Sequence, residues 1–223
     1  NTVRLAHYQH AQYFYDLCDK YGLVAWAEIP YITEHIPEGR ANTLSQMTEL
    51  VVQNYNHPSI VCWGLSNEIT GSGKTEDLVE NHKLLNDLKL DATRPTTMAH
   101  IFMLDANDPL VFLPDIRSYN LYYGWYVGEW DQNDAWFDEF HKNHPDAVIG
   151  LSEYGADTVA GLHGVAPEMF TEEFQVEYYK AINACLDSYA FVVGEWPWNF
   201  ADFSTQQGPM RVGSCNRKGL FTR

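Results

Sequence analysis

Apolar runs recur along this chain at a steady spacing, separated by stretches whose apolar residues return every three or four positions. The runs cover 2–8 (TVRLAHY), 23–30 (LVAWAEIP), 59–68 (SIVCWGLSNE), 95–103 (PTTMAHIFM), 116–124 (IRSYNLYYG), 147–155 (AVIGLSEYG) and 190–200 (AFVVGEWPWNF). Several are apolar throughout instead of alternating, the pattern of strands buried on both faces. Between them, the spacing predicts helices over 11–22, 43–55, 75–90, 133–144 and 171–188. In the first of these Phe14, Leu17, Cys18 and Tyr21 share a face, and Gly22 is placed to end the helix. In the last, Thr171 is an N-cap candidate followed by Glu172 and Glu173, whose charge suits the helix dipole.

Strands alternating with helices predict parallel βα units. Polar and aromatic residues gather at the C-terminal ends of the strands, where an eight-stranded barrel carries its chemistry. Seven strands are legible, one short of a full barrel, and the chain stops at Arg223, where a last helix would have to follow strand eight. The expected fold is α/β, a (β/α)8 TIM barrel lacking its first βα unit and its last helix, with residues 1–223 forming one partial barrel domain. A doubly wound sheet is the competing architecture, but no Gly-rich turn follows the first strand.

Composition narrows the field. The chain has 223 residues, 45% hydrophobic and 14% aromatic, enough for one large core. Its net charge of −16 argues against nucleic acid and anionic membrane surfaces as partners. No apolar run approaches the roughly 20 residues of a membrane span. Cys18, Cys62, Cys185 and Cys215 form no CxxC pair, so free thiols in a reducing, cytoplasmic compartment are expected over a disulfide framework or a zinc site. The chain opens on Asn1 in strand-like sequence, and its natural N-terminus is expected to lie upstream.

The stretch 62–75 (CWGLSNEITGSGKT) admits two chemistries. Gly73, Lys74 and Thr75 match the end of a phosphate-binding G-x-x-x-x-G-K-[ST] loop, but its first glycine position holds Glu68, whose charge and Cβ oppose a phosphate cradle. The alternative is that Glu68, ending one strand, works with Glu153, ending another. Retaining glycosidases need two carboxyls about 5–5.5 Å apart, one an acid/base and one a nucleophile, and strand ends of a closed barrel can converge that far. The acid must hold its proton, for which the aromatic rings of Trp63 and Trp125 are candidates; the nucleophile must stay ionised, for which the Tyr122 hydroxyl is a candidate donor. Taken singly, either glutamate reads as an ordinary strand-end acid. No cofactor is assigned, with a monovalent or divalent metal ion as the open alternative: Glu34, His35 and Glu38 are too close in sequence to share one ion, and His141 and His144 lie on a solvated helix. Glu195 reads as a supporting acid, His57 as a turn residue, and Trp125 and Tyr126 as core at least as readily as sugar platforms.

The blocks HPSIVCWGLSNE (57–68) and GLSEYGAD (150–157) resemble the two signature regions of glycoside hydrolase family 2, the β-galactosidase and β-glucuronidase family, and the resemblance covers nearly the whole chain. It implies Glu68 as acid/base and Glu153 as nucleophile, Asn67 on the sugar 2-hydroxyl, Tyr122 beside the nucleophile, Trp198 against the sugar and His7 at the pocket's edge. It also implies accessory β-sandwich domains outside this chain, a homo-oligomeric full-length protein, and poor hydrolysis by these 223 residues alone.

The sugar is read from the tail. Between Phe203 and Arg223 stand Arg211, Arg217, Lys218 and Arg223 with no acid among them, an odd island in so acidic a chain. A uronic acid carries a carboxylate at C6 that needs charge-assisted donors. RVGSCNRKGLFTR (211–223) resembles a glucuronidase signature whose Asn-x-Lys grips that carboxylate, here Asn216 and Lys218 with Arg211 nearby. RLAHYQH, AEIPYITEH and VCWGLSNEIT look more like galactosidases, and the tail has one extra residue before Asn216. The expectation is a retaining exo-β-glycosidase, leaning to β-D-glucuronides, with a β-galactosidase, a galacturonide-specific enzyme or an inactive sugar-binding fragment as alternatives.

Overall fold

A computed structural model describes residues 1–88, 90–206, 208–211 and 213–222. Seven strands share one sheet in chain order: β1 (Thr2–Leu5), β2 (Val24–Glu28), β3 (Ile60–Asn67), β4 (Thr96–Ile101), β5 (Ile116–Asn120), β6 (Ile149–Tyr154) and β7 (Val192–Pro197). β1 to β5 pair parallel throughout. The helices are α1 (Gln12–Tyr21), α2 (Arg40–Asn54), α3 (Glu76–Asp87), α4 (Gln132–Asn143) and α5 (Glu172–Asp187). Sequential parallel strands with intervening helices are the βα units the alternation predicts.

The strands are shorter than the apolar runs. The run 2–8 ends as strand at Leu5, 116–124 at Asn120 and 190–200 at Pro197. The remainder of each run is loop, and these loops hold His7, Tyr122 and Trp198. Two further strands escape the pattern reading: β8 (Phe203–Ser204) and β9 (Cys215–Asn216), an antiparallel pair. Two-residue strands have no readable periodicity.

The chain divides into two compact units. In the first, residues 1–120 with 147–152, the core gathers Leu5 and Leu65 of the strands with Tyr15, Met47, Leu50 and Leu85 of the helices. Gly22 takes φ 70°, and its N–H closes α1 on Cys18 O, so a glycine ends the helix as its spacing predicts. Thr75 caps α3, its Oγ1 accepting from Leu78 N at 3.2 Å, and Lys74 pairs with Asp108. The GKT tail is thus a helix start.

Trp63 corrects an expectation. Its ring lies in this core, its Nε1 donates to Asp91 at 3.1 Å, and the Arg94 guanidinium stands over it at 5.5 Å. Five residues before Glu68, it anchors the start of β3 instead of setting the environment of that carboxyl.

In the second unit, residues 121–146 and 153–223, aromatic rings do most of the packing. Phe137 and Phe140 of α4 meet Phe191, and Phe174 of α5 meets Trp125 and Trp130. Thr171 caps α5, accepting from Phe174 N at 3.2 Å. Among the described residues no helix is long and apolar enough to cross a membrane.

Candidate active site

In the first unit the site grows from the end of β3. Pairing of β3 with β4 slips between Gly64 and Asn67, a local irregularity that re-aims the last residues of the strand. Glu68 comes next at φ 44°, a left-handed conformation unusual for a side-chain-bearing residue, held by its N–H on Ala99 O at 2.8 Å. Gly64 is needed earlier in the strand: a Cβ there would fall 2.4 Å from Glu28 Cβ and 2.3 Å from Trp26 Nε1.

A network of polar side chains fixes the groups at this end. Arg4 donates to both Glu28 oxygens at 3.0 and 3.1 Å, to Asn67 Oδ1 at 2.8 Å and to Ser152 O at 3.2 Å. Asn120 Nδ2 donates to Asn67 Oδ1 at 3.2 Å and to Glu68 Oε1 at 3.0 Å, while its own Oδ1 accepts from Ser152 Oγ at 2.7 Å. With Asn67 Oδ1 taking two donors, the Asn67 amide is oriented so that its NH2 is the group available to a ligand. His7 Nδ1 lies 2.9 Å from Glu28 Oε1. Burial pushes the Glu28 carboxyl upward, but the Arg4 charge and the His7 hydrogen bond outweigh it and hold its pKa below the ordinary carboxylate range.

In the second unit Glu153 is buried, and its Oε2 accepts from the Tyr122 hydroxyl at 2.9 Å. Beside Tyr122, ring to ring at 4.9 Å, stands Tyr126. The Tyr126 oxygen accepts from Lys218 Nζ at 2.7 Å and from Arg211 Nη1 at 3.0 Å. Lys218 is fully buried, pairs with Asp157, and sits over the rings of Tyr126 and Trp125. Asn216 is also buried, its Oδ1 accepting from Lys218 N at 3.1 Å. Trp198 is half-buried, edge-on to Phe203, its N–H bonded to Tyr154 O at 2.7 Å. Glu195 accepts from the Tyr154 hydroxyl at 3.1 Å, one residue on from Glu153.

The basic island therefore splits. Arg211 and Lys218 converge on one hydroxyl, the Arg217 side chain does not join them, and Arg223 lies outside the described residues. Of the weak metal candidates, His35 is held between the Tyr31 hydroxyl at 2.5 Å and Asp77 at 2.6 Å. Asp16, Asp19 and His57 also come together, but Asp19 is taken up by His57 at 2.7 Å and by Ser59 N at 3.0 Å, a turn arrangement.

Sequence reasoning missed Arg4, Glu28, Asn120, Ser152 and Asp157, and read Tyr126 as core as readily as a sugar platform. The signal was present: each of the first four is a polar residue inside a strand, and a buried polar group is tolerated there only when it is bonded.

A run of parallel βα units with carboxylates and amides at the strand ends is the architecture of α/β-barrel enzymes. The chain belongs to the glycosyl hydrolases of family 2: the model of that family's TIM barrel domain matches residues 1–223. It is 35% identical to the β-glucuronidase of Mus musculus, over 100% of this chain and 36% of that protein. Among solved structures it resembles the FMN-binding β-glucuronidase of Faecalibacterium prausnitzii L2-6, with a TM-score of 0.95, 40% identity, and coverage of 100% of this chain and 36% of that one. It also resembles Bacteroides uniformis β-glucuronidase 2 covalently bound to cyclophellitol-6-carboxylate aziridine, with a TM-score of 0.91, 33% identity, and coverage of 100% and 29%. The chain thus spans about a third of the length of the curated relatives it matches.

Proposed function

We propose that this chain is the catalytic barrel of a retaining exo-β-glycosidase that releases terminal β-D-glucuronic acid. The Tyr126 hydroxyl carries the sugar assignment. It accepts from two cations, Lys218 and Arg211, so its own proton and the further N–H groups of those cations remain for a carboxylate. A neutral C6 hydroxymethyl group has no use for such a concentration of charged donors. The names of the relatives agree, and the B. uniformis enzyme, covalently bound to a 6-carboxylate aziridine, supports both a nucleophile and a carboxylate grip.

In this reading Glu68 protonates the departing glycosidic oxygen while Glu153 attacks C1 from the opposite face. Water then hydrolyses the glycosyl-enzyme with Glu68 acting as base. The Tyr122 hydroxyl donates to Glu153 Oε2 and fixes the orientation of that carboxyl. Asn67 presents its NH2 to the sugar 2-hydroxyl, Asn216 supports the uronate grip, and Trp198 and His7 line the pocket. The full-length protein is proposed to carry accessory β-sandwich domains, to assemble as a homo-oligomer and to work in the cytoplasm, a setting that the four free cysteines fit.

The test compares turnover of aryl β-glucuronide and aryl β-galactoside by the full-length enzyme and by its Lys218→Ala variant. Glucuronide should be preferred, and the variant should lose at least about tenfold in kcat/KM on it alone. A preference for galactoside that Lys218→Ala leaves untouched overturns the uronide reading.

A further inference from the structure

The second unit contains a cavity of about 590 Å3, within the roughly 300–1,000 Å3 of small-molecule sites. Its walls are largely apolar: Trp125 and Tyr126, then Phe170, Met169 and Met210. Trp125 and Phe170 meet edge-to-face at 5.1 Å and 82°, forming a corner of two aromatic surfaces. Phe170, Met169 and Met210 are 45%, 49% and 59% exposed, so large apolar side chains remain open to solvent around one concavity.

Arg217 gives the cavity its polarity. Its main-chain N–H is taken up by Asp157 Oδ1 at 2.8 Å, but among the described residues its guanidinium has no hydrogen-bond or ion-pair partner. The lining acid, Asp157, is already paired with Lys218. In a chain of net charge −16 an arginine without a counter-ion on an apolar wall is an unusual arrangement. Lys218 does not line the cavity; the two share Trp125 and Tyr126, whose rings carry the Lys218 ammonium.

We infer that this cavity is a binding site, separate from the uronate grip, for a small planar aromatic anion such as an arylsulfonate or arylcarboxylate. The ring fills the corner between Trp125 and Phe170, with the two methionines adapting to its outline. The anionic group accepts from the Arg217 guanidinium, a planar fork suited to two oxygens of one acid. The inference rests on the cavity and not on which sugar the enzyme prefers.

Isothermal titration of the full-length protein with 2-naphthalenesulfonate, and with neutral 2-naphthalenemethanol as its counterpart, tests this. Arg217→Gln should weaken the sulfonate about tenfold, the worth of one hydrogen bond to a charged group, and leave the neutral ring unaffected. Met210→Trp fills the cavity and should abolish both, with thermal unfolding confirming that the variant is folded. Added glucuronic acid should not displace the sulfonate. The inference is overturned if the sulfonate fails to bind at millimolar concentration, if it binds Arg217→Gln or Met210→Trp as well as the parent, or if glucuronic acid displaces it.

Discussion

At the scale of single residues, orientation is decided by which lone pairs are already occupied. Asn67 Oδ1 takes Arg4 and Asn120, which leaves its NH2 for a ligand, and Glu153 Oε2 takes Tyr122. Tyr122→Phe removes a donor to a charged acceptor, worth about 1.5–3 kcal/mol. In the full-length enzyme kcat/KM should fall roughly 10- to 100-fold on the preferred aryl glycoside, with the thermal midpoint little changed. Activity equal to the parent would remove Tyr122 from the site. His82 makes a residue-scale prediction about stability. Its Nδ1 donates to Leu78 O and its Nε2 accepts from Ser66 Oγ, both at 2.8 Å, and burial pushes its pKa down to about 4 from 6.5. Between those values the unfolded chain holds a proton that the folded chain lacks, so stability falls as pH drops from about 6.5 to 4, by up to about 3 kcal/mol. Urea midpoints across that window measure the slope, and His82→Phe, which cannot titrate, should flatten it.

At the scale of elements, ends matter more than middles. Helix starts are legible in sequence because a cap is a local device: Thr75 and Thr171 each accept from the N–H three residues on. Thr75→Ala should cost about 1 kcal/mol in chemical denaturation, where loss of a phosphate ligand would cost none. The corner before β4 is not legible, because its partners come from distant segments. Asp91 accepts from Trp63 Nε1, Thr93 N and Arg94 Nη1, and Arg94 in turn donates to Ile60 O, Tyr55 O and His57 O. This joins the start of β3 to the start of β4. Removing one partner of a buried ion pair costs about 3–5 kcal/mol, so Asp91→Ala should lower the denaturation midpoint more than loss of either threonine cap. A loss under about 1 kcal/mol would show the corner to be dispensable. The same distance explains the misplacing of Trp63: an indole in an apolar run reads the same whether it faces a carboxyl or the helix layer.

At the scale of the whole molecule, composition becomes reactivity. All four cysteines are free; Cys18, Cys62 and Cys185 are buried, and only Cys215 is partly open. Burial pushes the Cys62 and Cys185 thiols up to about 12, so they stay protonated and inert near neutrality. Ellman's reagent should therefore modify one thiol quickly in the native protein, Cys215→Ala should abolish that phase, and all four should react in denaturant. Rapid reaction of more than one would mean that the fold opens around the buried positions.

The sequence by itself determined the class of architecture, since period and apolar runs report directly on which faces are buried. It also singled out the two glutamates as candidates, because a carboxylate ending a strand in a recognisable block needs no coordinates to be noticed. Only the tertiary structure decided what surrounds them. Glu28, Arg4 and Asn120 are separated by 24 or more positions along the chain, yet they meet around Asn67 because successive parallel strands place their C-terminal ends side by side. Likewise the tail's basic residues look alike in sequence. The fold set Lys218 and Arg211 on one tyrosine oxygen and left Arg217 lining the cavity beside it, because the partners that sort them lie 61 to 92 positions away along the chain.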